Sequence, residues 1–294
     1  ILTGGHGLRV GVLVNDFGSI NVDAELVVDV EDGVVSLANG CVCCQIRDDL
    51  VESVAELVDR DEPVDHVVLE ASGVADPAGI YLTFVDSAYR DRIRLDSVTC
   101  VVDAEQALSH DDPELSQLKL RQIGFSDLVV LNKVDLAGVE GAAGVKRWVD
   151  ANFTRVRMVP AIHCDVPLAV LLGDGRVDPA KERGDPGEDS AGHGARFGTQ
   201  SYSTDRPFRR RSLERMIKRD LPATIYRCKG IVHLADDPSH RYVLQVVGRR
   251  VDLTADRPWG TDAPGSRIVA IAHGIALGPE EISDLFDPCT DDHP

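Results

Sequence analysis

Gly40-Cys41-Val42-Cys43-Cys44 puts three thiols within four residues. Thiolates are soft ligands that favour zinc and related ions, and they seldom crowd together for packing alone. The stretch follows Val34-Val35-Ser36-Leu37, which reads as a short strand, and precedes Asp48 to Val58, where apolar residues at 50, 51, 54, 57 and 58 fit one helical face. The thiols therefore lie in a strand-to-helix turn, where the helix dipole lowers a thiol pKa and favours the metal-binding thiolate. Cys41, Cys43 and Cys44, with a fourth ligand still to be supplied, form a recognisable metal-coordinating set. Buried small cysteines or a redox pair are the competing readings.

A second chemistry sits at Asn132-Lys133-Val134-Asp135, directly after the apolar run Leu128 to Leu131. A rigidly held aspartate can accept both the ring N–H and the exocyclic amino protons of guanine, whereas adenine presents the wrong donors. Such a site rejects the wrong base because its own polar groups would be left unpaired. A third is Glu70-Ala71-Ser72-Gly73, which ends the buried strand His66 to Leu69. A carboxylate there can hold Mg²⁺ through water or orient an attacking water; a solvated strand end is the alternative. Asp76-Pro77 then supplies an N-cap and a first helical residue. The polar stretch Asn15-Asp16-Phe17-Gly18, leading into Asn21-Val22-Asp23, follows the apolar run Val10 to Val14. At the carboxyl end of a parallel strand it would face the ligand crevice of an open α/β sheet. An ordinary polar turn would look the same.

The elements that must carry these residues alternate strand and helix through residue 172, which predicts an α/β fold with a mostly parallel sheet. Two strands near the start resist that scheme. Ile1-Leu2-Thr3 and Leu8 to Val14 are separated only by Gly4-Gly5-His6-Gly7, which taken literally is a tight hairpin. Yet Val10 to Val14 is apolar apart from one glycine, as in a parallel strand buried on both faces, and parallel neighbours need a crossover of about a dozen residues. The sequence therefore predicts that a loop and helix, including the phosphate-binding loop, belong between Gly4 and His6. From 173 to 200 the composition turns to Gly, Asp, Pro and Glu, as in a linker or mobile loop. His193 within it reads as a solvated side chain. Ser212 to Arg219 resembles a basic helix, Ala223 to Leu234, Arg241 to Val247 and Arg267 to His273 read as strands, and Glu280 to Phe286 as a helix. Residues 201–294 thus form a smaller α+β domain after the domain at 1–172.

Composition narrows the function. With 49 acidic and 31 basic residues the net charge is -18, which argues against nucleic acid or an anionic membrane as partner. No apolar run is long enough to cross a bilayer, and no leader of secretory type is evident. Seven cysteines, three of them bunched, do not make a disulfide framework and point to a reducing cytoplasm.

With these motifs in order, the chain resembles the CobW family of GTPases. The resemblance rests on Ile1-Leu2-Thr3-Gly4, Asn15-Asp16-Phe17-Gly18, the cysteine turn, Glu70 to Gly73 with Ala75-Asp76-Pro77, and Asn132 to Asp135. In the C-terminal domain it rests on Arg227-Cys228-Lys229-Gly230, Gly248-Arg249-Arg250, Pro258-Trp259-Gly260 and Ser266-Arg267. It implies a P-loop GTPase domain using GTP and Mg²⁺, with Gly4 at the phosphate loop and Glu70 near the Mg²⁺ or the hydrolytic water. Asn132 and Asp135 would read guanine, with Lys133 packing along the base. Asn15, Asp16, Gly18 and Asp23 would act as switch residues, and Cys41, Cys43 and Cys44 would carry Zn²⁺ or Co²⁺ for a client metalloprotein. A homodimer stays open, as do a non-catalytic metal binder on the same scaffold and an activator dedicated to one enzyme such as a nitrile hydratase. The departures are specific: no Gly-x-x-x-x-Gly-Lys-Ser/Thr occurs anywhere, and Ser19 stands where family members often carry glutamate.

Overall fold

The computed structural model describes residues 8–15, 34–36, 45–85, 93–109, 112–154, 156–172, 197–248, 250–273 and 278–291. The chain divides into two compact units, residues 1–96 with 111–125, and residues 97–110 with 126–294. The expected crossover between Gly4 and His6 lies outside the described residues, as does the stretch 173–196 with His193.

In the first unit, β1 (Val10–Asn15), β2 (Val34–Ser36) and β3 (His66–Ala71) form a parallel sheet in the order β2-β1-β3. β1 is central, paired Val12 with Val34 on one side and Val10 with His66 on the other. Its described side chains Val10, Val12 and Leu13 are buried, as its apolar run predicts for a strand covered on both faces. Helix α1 (Gln45–Val58) lays Leu50, Val54 and Leu57 against Leu13 and Phe84, the latter on α2 (Pro77–Val85). Each such side chain removed from water contributes about 1.5–3 kcal/mol. Asp76 caps α2 as expected, its Oδ1 accepting the Ala78 N–H at 3.0 Å. Helix α3 (Pro113–Phe125), which no sequence signal predicted, completes the unit, and Tyr81 meets Phe125 with ring centroids 6.2 Å apart.

The second unit starts from another parallel sheet, β4 (Thr99–Asp103), β5 (Leu128–Asn132) and β6 (Met158–Pro160), in the order β4-β5-β6. β5 is central, and its first four residues, Leu128 to Leu131, are all buried. Between β5 and β6 runs α4 (Val134–Asn152), kinked at Gly138, whose φ of 67° is not helical. In sequence the helical pattern is legible only from Val145 to Phe153. A short helix α5 (Leu168–Leu171) follows β6.

The rest of this unit is an antiparallel sheet of β7 (Phe197–Thr204), β8 (Ile225–Leu234), β9 (Asp237–Val247), β10 (Arg250–Pro258) and β11 (Ser266–His273), ordered β10-β9-β8-β11-β7. Helices α6 (Arg210–Arg219) and α7 (Pro279–Phe286) cover one face, burying Leu213, Ile217, Ile282 and Phe286 against Val232, Leu244 and Ile268. Residues 197–200, assigned to the linker from sequence, are the first part of β7. A separate apolar cluster joins Leu128, Val130, Val159 and Ala161 of the parallel sheet region to Tyr226 and Ile271 of the antiparallel one. Arg250 on β10 also donates to Asp127 Oδ2 at 2.9 Å, and the same carboxylate oxygen accepts the Val98 N–H ahead of β4.

Candidate functional site

The apolar run of β5 ends at Asn132, whose Cα partner across the sheet is Asp103, the last residue of β4. Lys133 then turns the chain in the left-handed conformation, φ 58° and ψ 36°, before α4 begins at Val134. Asp135 lies in the first turn of α4, exposed, where the helix dipole favours a carboxylate. On the other side β6 gives way to Ala161-Ile162-His163-Cys164. The Cys164 N–H donates to Asn132 Oδ1 at 2.8 Å, the Val134 N–H to the Ala161 carbonyl at 3.3 Å, and the Ala161 N–H to the Leu131 carbonyl at 2.8 Å. The corner is thereby stitched to β6 from both ends of the Asn132-Lys133-Val134 turn.

Among the described residues, three other than glycine have positive φ: Lys133, His163 and Cys164. All three belong to this corner. Left-handed backbone costs a residue with a side chain about 1–2 kcal/mol and persists where surrounding bonds over-determine it, which happens preferentially at ligand-binding sites.

The Lys133 Nζ donates to Asp103 Oδ2 at 2.7 Å. That hydrogen bond, ahead of all other influences, pulls the Asp103 pKa below the ordinary carboxylate value and pushes that of Lys133 up, so both stay charged at neutral pH. In sequence Asp103 reads only as the end of the apolar run Ser97 to Val102, and the Ala161–Cys164 turn carries no signal. Nothing in their residue types signals either; the strand register does.

In the first unit, Glu70 is paired with Val14, and Ala71 with Asn15, so the carboxyl ends of β1 and β3 finish at one sheet edge. Glu70 is exposed there. The loop that follows it is held by α3: Gln122 Nε2 donates to the Gly73 carbonyl at 2.9 Å and the Ala75 carbonyl at 3.1 Å, and Arg121 pairs with Asp76 at 3.3 Å. Gln122 is another residue the sequence did not point to. Gly4, Asp16, Gly18, Asp23, Cys41, Cys43 and Cys44 lie outside the described residues. β2 ends at Ser36 and α1 begins at Gln45, which bracket the cysteine turn in the chain.

Among the described residues no group of three or more His, Cys, Asp or Glu side chains is placed to hold a metal ion. Burial pushes the Cys100 and Cys289 thiols up to about 11 and Cys228 up to about 12, so these three remain protonated at neutral pH and are poor ligands. For Mg²⁺ the described carboxyl ends of β1 and β3 offer the exposed carboxylate of Glu70, and the sequence has no Gly-Lys-Ser/Thr hydroxyl to join it. That donor set does not fit a complete Mg²⁺ site.

Comparison with known proteins agrees with the motif order. The profile of the CobW/HypB/UreG nucleotide-binding domain matches residues 1–159, and that of the cobalamin synthesis protein cobW C-terminal domain matches residues 197–290. The zinc chaperone YjiA of Escherichia coli (strain K12) is 30% identical over 303 aligned residues, covering 97% of this chain and 91% of that protein. The zinc chaperone CobW of Sinorhizobium sp is 28% identical, covering 92% of this chain and 86% of its own length. The zinc-regulated GTPase metalloprotein activator 1 of Dictyostelium discoideum is 28% identical over 81% of this chain, which spans 60% of that longer protein. A crystal structure of Zn(II)-bound YjiA GTPase from E. coli aligns with a TM-score of 0.41 and 24% identity, over 99% of this chain and 92% of that one. A nucleotide-binding domain followed by its matching C-terminal domain, in one chain and in this order, makes the protein a member of the CobW family.

Proposed function

We propose that this protein is a guanine-nucleotide-dependent metallochaperone. The observation that carries the reading is the corner at the end of β5, where Asn132 is bonded to Cys164 after β6 and Lys133 to Asp103 of β4, where the left-handed residues gather, and where Asp135 stands exposed in the helical turn that follows. In this reading Asp135 accepts the ring and amino N–H groups of guanine, Asn132 fixes the turn, and the Lys133 stem lies along the base. Glu70 orients the water that attacks GTP, Gly4 belongs to the phosphate loop, and Asn15, Asp16, Gly18 and Asp23 respond to loss of the terminal phosphate. Cys41, Cys43 and Cys44 hold the cargo ion, Zn²⁺ before Co²⁺, and release it to a client metalloprotein. Support for zinc comes from the naming of the relatives as zinc chaperones. The working division is a GTPase domain at 1–172, a linker at 173–196 and a C-terminal domain from 197, where β7 begins. The reading includes a cytoplasmic setting, on the grounds of cysteine usage; among the described residues no helix is long and apolar enough to cross a membrane.

One observation favours a second reading, in which nucleotide is bound but not turned over: the sequence has no Gly-Lys-Ser/Thr to cradle the phosphates. Both readings meet in one set of titrations. Calorimetric zinc titration of the protein with a non-hydrolysable GTP analogue, with GDP and with ATP should show tight zinc binding that changes roughly 5- to 150-fold between the GTP and GDP forms, with ATP without effect. Equal zinc affinity in all forms would leave no nucleotide-driven carrier. Phosphate release from GTP separates the first reading from the second.

A further inference from the structure

We infer that Asp103 is a positioning residue of the guanine site, acting through Lys133 to keep the Asp135 carboxylate free for the base; this rests on the reading of that corner proposed above. Lys133 is two residues from Asp135, close enough in sequence for its ammonium to fold onto that carboxylate and neutralise the acceptor guanine needs. In the structure it does not. Its Nζ is tied 2.7 Å from Asp103 Oδ2 on the neighbouring strand, and Asp135 stands exposed.

The tie is not a chance meeting of two surface side chains, which would hold neither in place. Asp103 is fixed before the lysine arrives, because its Oδ1 accepts the N–H groups of Glu105 at 2.9 Å and Gln106 at 3.2 Å, leaving Oδ2 for Lys133. Its backbone is anchored as well: the Ala107 N–H donates to the Asp103 carbonyl at 2.9 Å, and the adjacent Ala104 N–H donates to the Asn132 carbonyl at the same distance. Asp103 is the Cα partner of Asn132, so the anchor sits one position from the residue it restrains. Lys133 itself takes the left-handed conformation, in which a lysine backbone gains nothing by itself and depends on such restraints. The aspartate thus serves as a decoy carboxylate for the lysine and sets the direction in which the lysine stem leaves the corner.

The test compares wild type, Asp103→Asn, Lys133→Met and the double variant by calorimetric titration with GDP, GTP, ITP and ATP. ITP lacks the 2-amino group, so the GTP-to-ITP affinity ratio reports how available the Asp135 carboxylate is. Asp103→Asn is expected to weaken GDP and GTP binding about tenfold and to shrink the GTP-to-ITP ratio. In the Lys133→Met background, where no ammonium can reach Asp135, adding Asp103→Asn should change neither quantity further. A purely structural role would instead lower affinity for every nucleotide and persist with methionine at 133. Selective wild type with an Asp103→Asn variant of unchanged affinity and ratio, or equal losses in both backgrounds, would overturn the assignment alone. Wild type binding ATP as tightly as GTP would overturn the guanine reading and this assignment with it.

Discussion

The described residues include two three-stranded parallel sheets that end in opposite styles. In β4-β5-β6 the central strand is buried from Leu128 to Leu131, and its carboxyl end is tied to both sides through Asn132, Lys133, Asp103 and Cys164. In β2-β1-β3 the edge strand β3 is only half-buried and runs out at an exposed Glu70, whose loop is steadied from outside by Gln122. Reading a base calls for fixed donors and acceptors, since discrimination comes from leaving the wrong base unpaired. Orienting a water or responding to a phosphate calls for a loop that can shift, drawn from the less stable parts of a fold. In the proposed reading, recognition falls to the second sheet and response to the first.

The largest effect should come from the recognising sheet. Asp135→Asn removes the acceptor for the guanine amino group, so GTP affinity should fall about 100-fold or more while xanthine nucleotide binding improves. Fluorescent-nucleotide displacement measures both, and unchanged GTP affinity would break the contrast at its root. Next comes Gly248→Ala. Gly248 has a φ of 55°, and a Cβ there would lie 1.6 Å from the Asp127 carbonyl oxygen at the head of β5. Strain plus collision with backbone should cost about 3–5 kcal/mol in urea unfolding and weaken GTP binding with it. If stability falls and GTP affinity does not, the base-reading corner is independent of the strand's foundation. Smallest is Gln122→Ala, which frees two carbonyls of the loop after Glu70 at a cost of about 1 kcal/mol. GTP turnover should slow several-fold with GTP affinity unaltered; reduced affinity with normal turnover would reverse the assignment of roles.

How much of this was legible in sequence follows from burial. β5 and the turn after it were visible because an unbroken apolar run must be a covered strand, and Asn-Lys-x-Asp directly after it is a chemical pattern. β7 and β10 were missed for the complementary reason. They are the two edges of the antiparallel sheet, and segments such as Thr199-Gln200-Ser201 and Arg250-Val251-Asp252 carry the polar side chains an edge tolerates. The first part of α4 was hidden by Gly138, Gly141 and Gly144, which dilute a helical pattern and in one case kink it. The Asp103–Lys133 pair could not be foreseen, since its members are thirty positions apart and meet only through the β4–β5 register. The cysteine turn, the strongest chemical signal in the sequence, lies outside the described residues and remains a proposal.

The apolar cluster shared by Leu128, Val130 and Tyr226 has a further consequence. Family profiles mark what is inherited as a piece, and here they meet between residues 159 and 197. Packing groups the chain differently, with residues 97–110 and 126–294 in one compact unit. Close-packed interiors transmit displacement rather than absorb it. The strand that ends at the Asn132 corner and the strands of the C-terminal sheet therefore share one packed interior, with the Arg250–Asp127 bond as a rivet between them. A swap of the inherited C-terminal piece between relatives would exchange the floor under the base-reading strand, so the two pieces can be traded only together with the residues that face each other across that cluster.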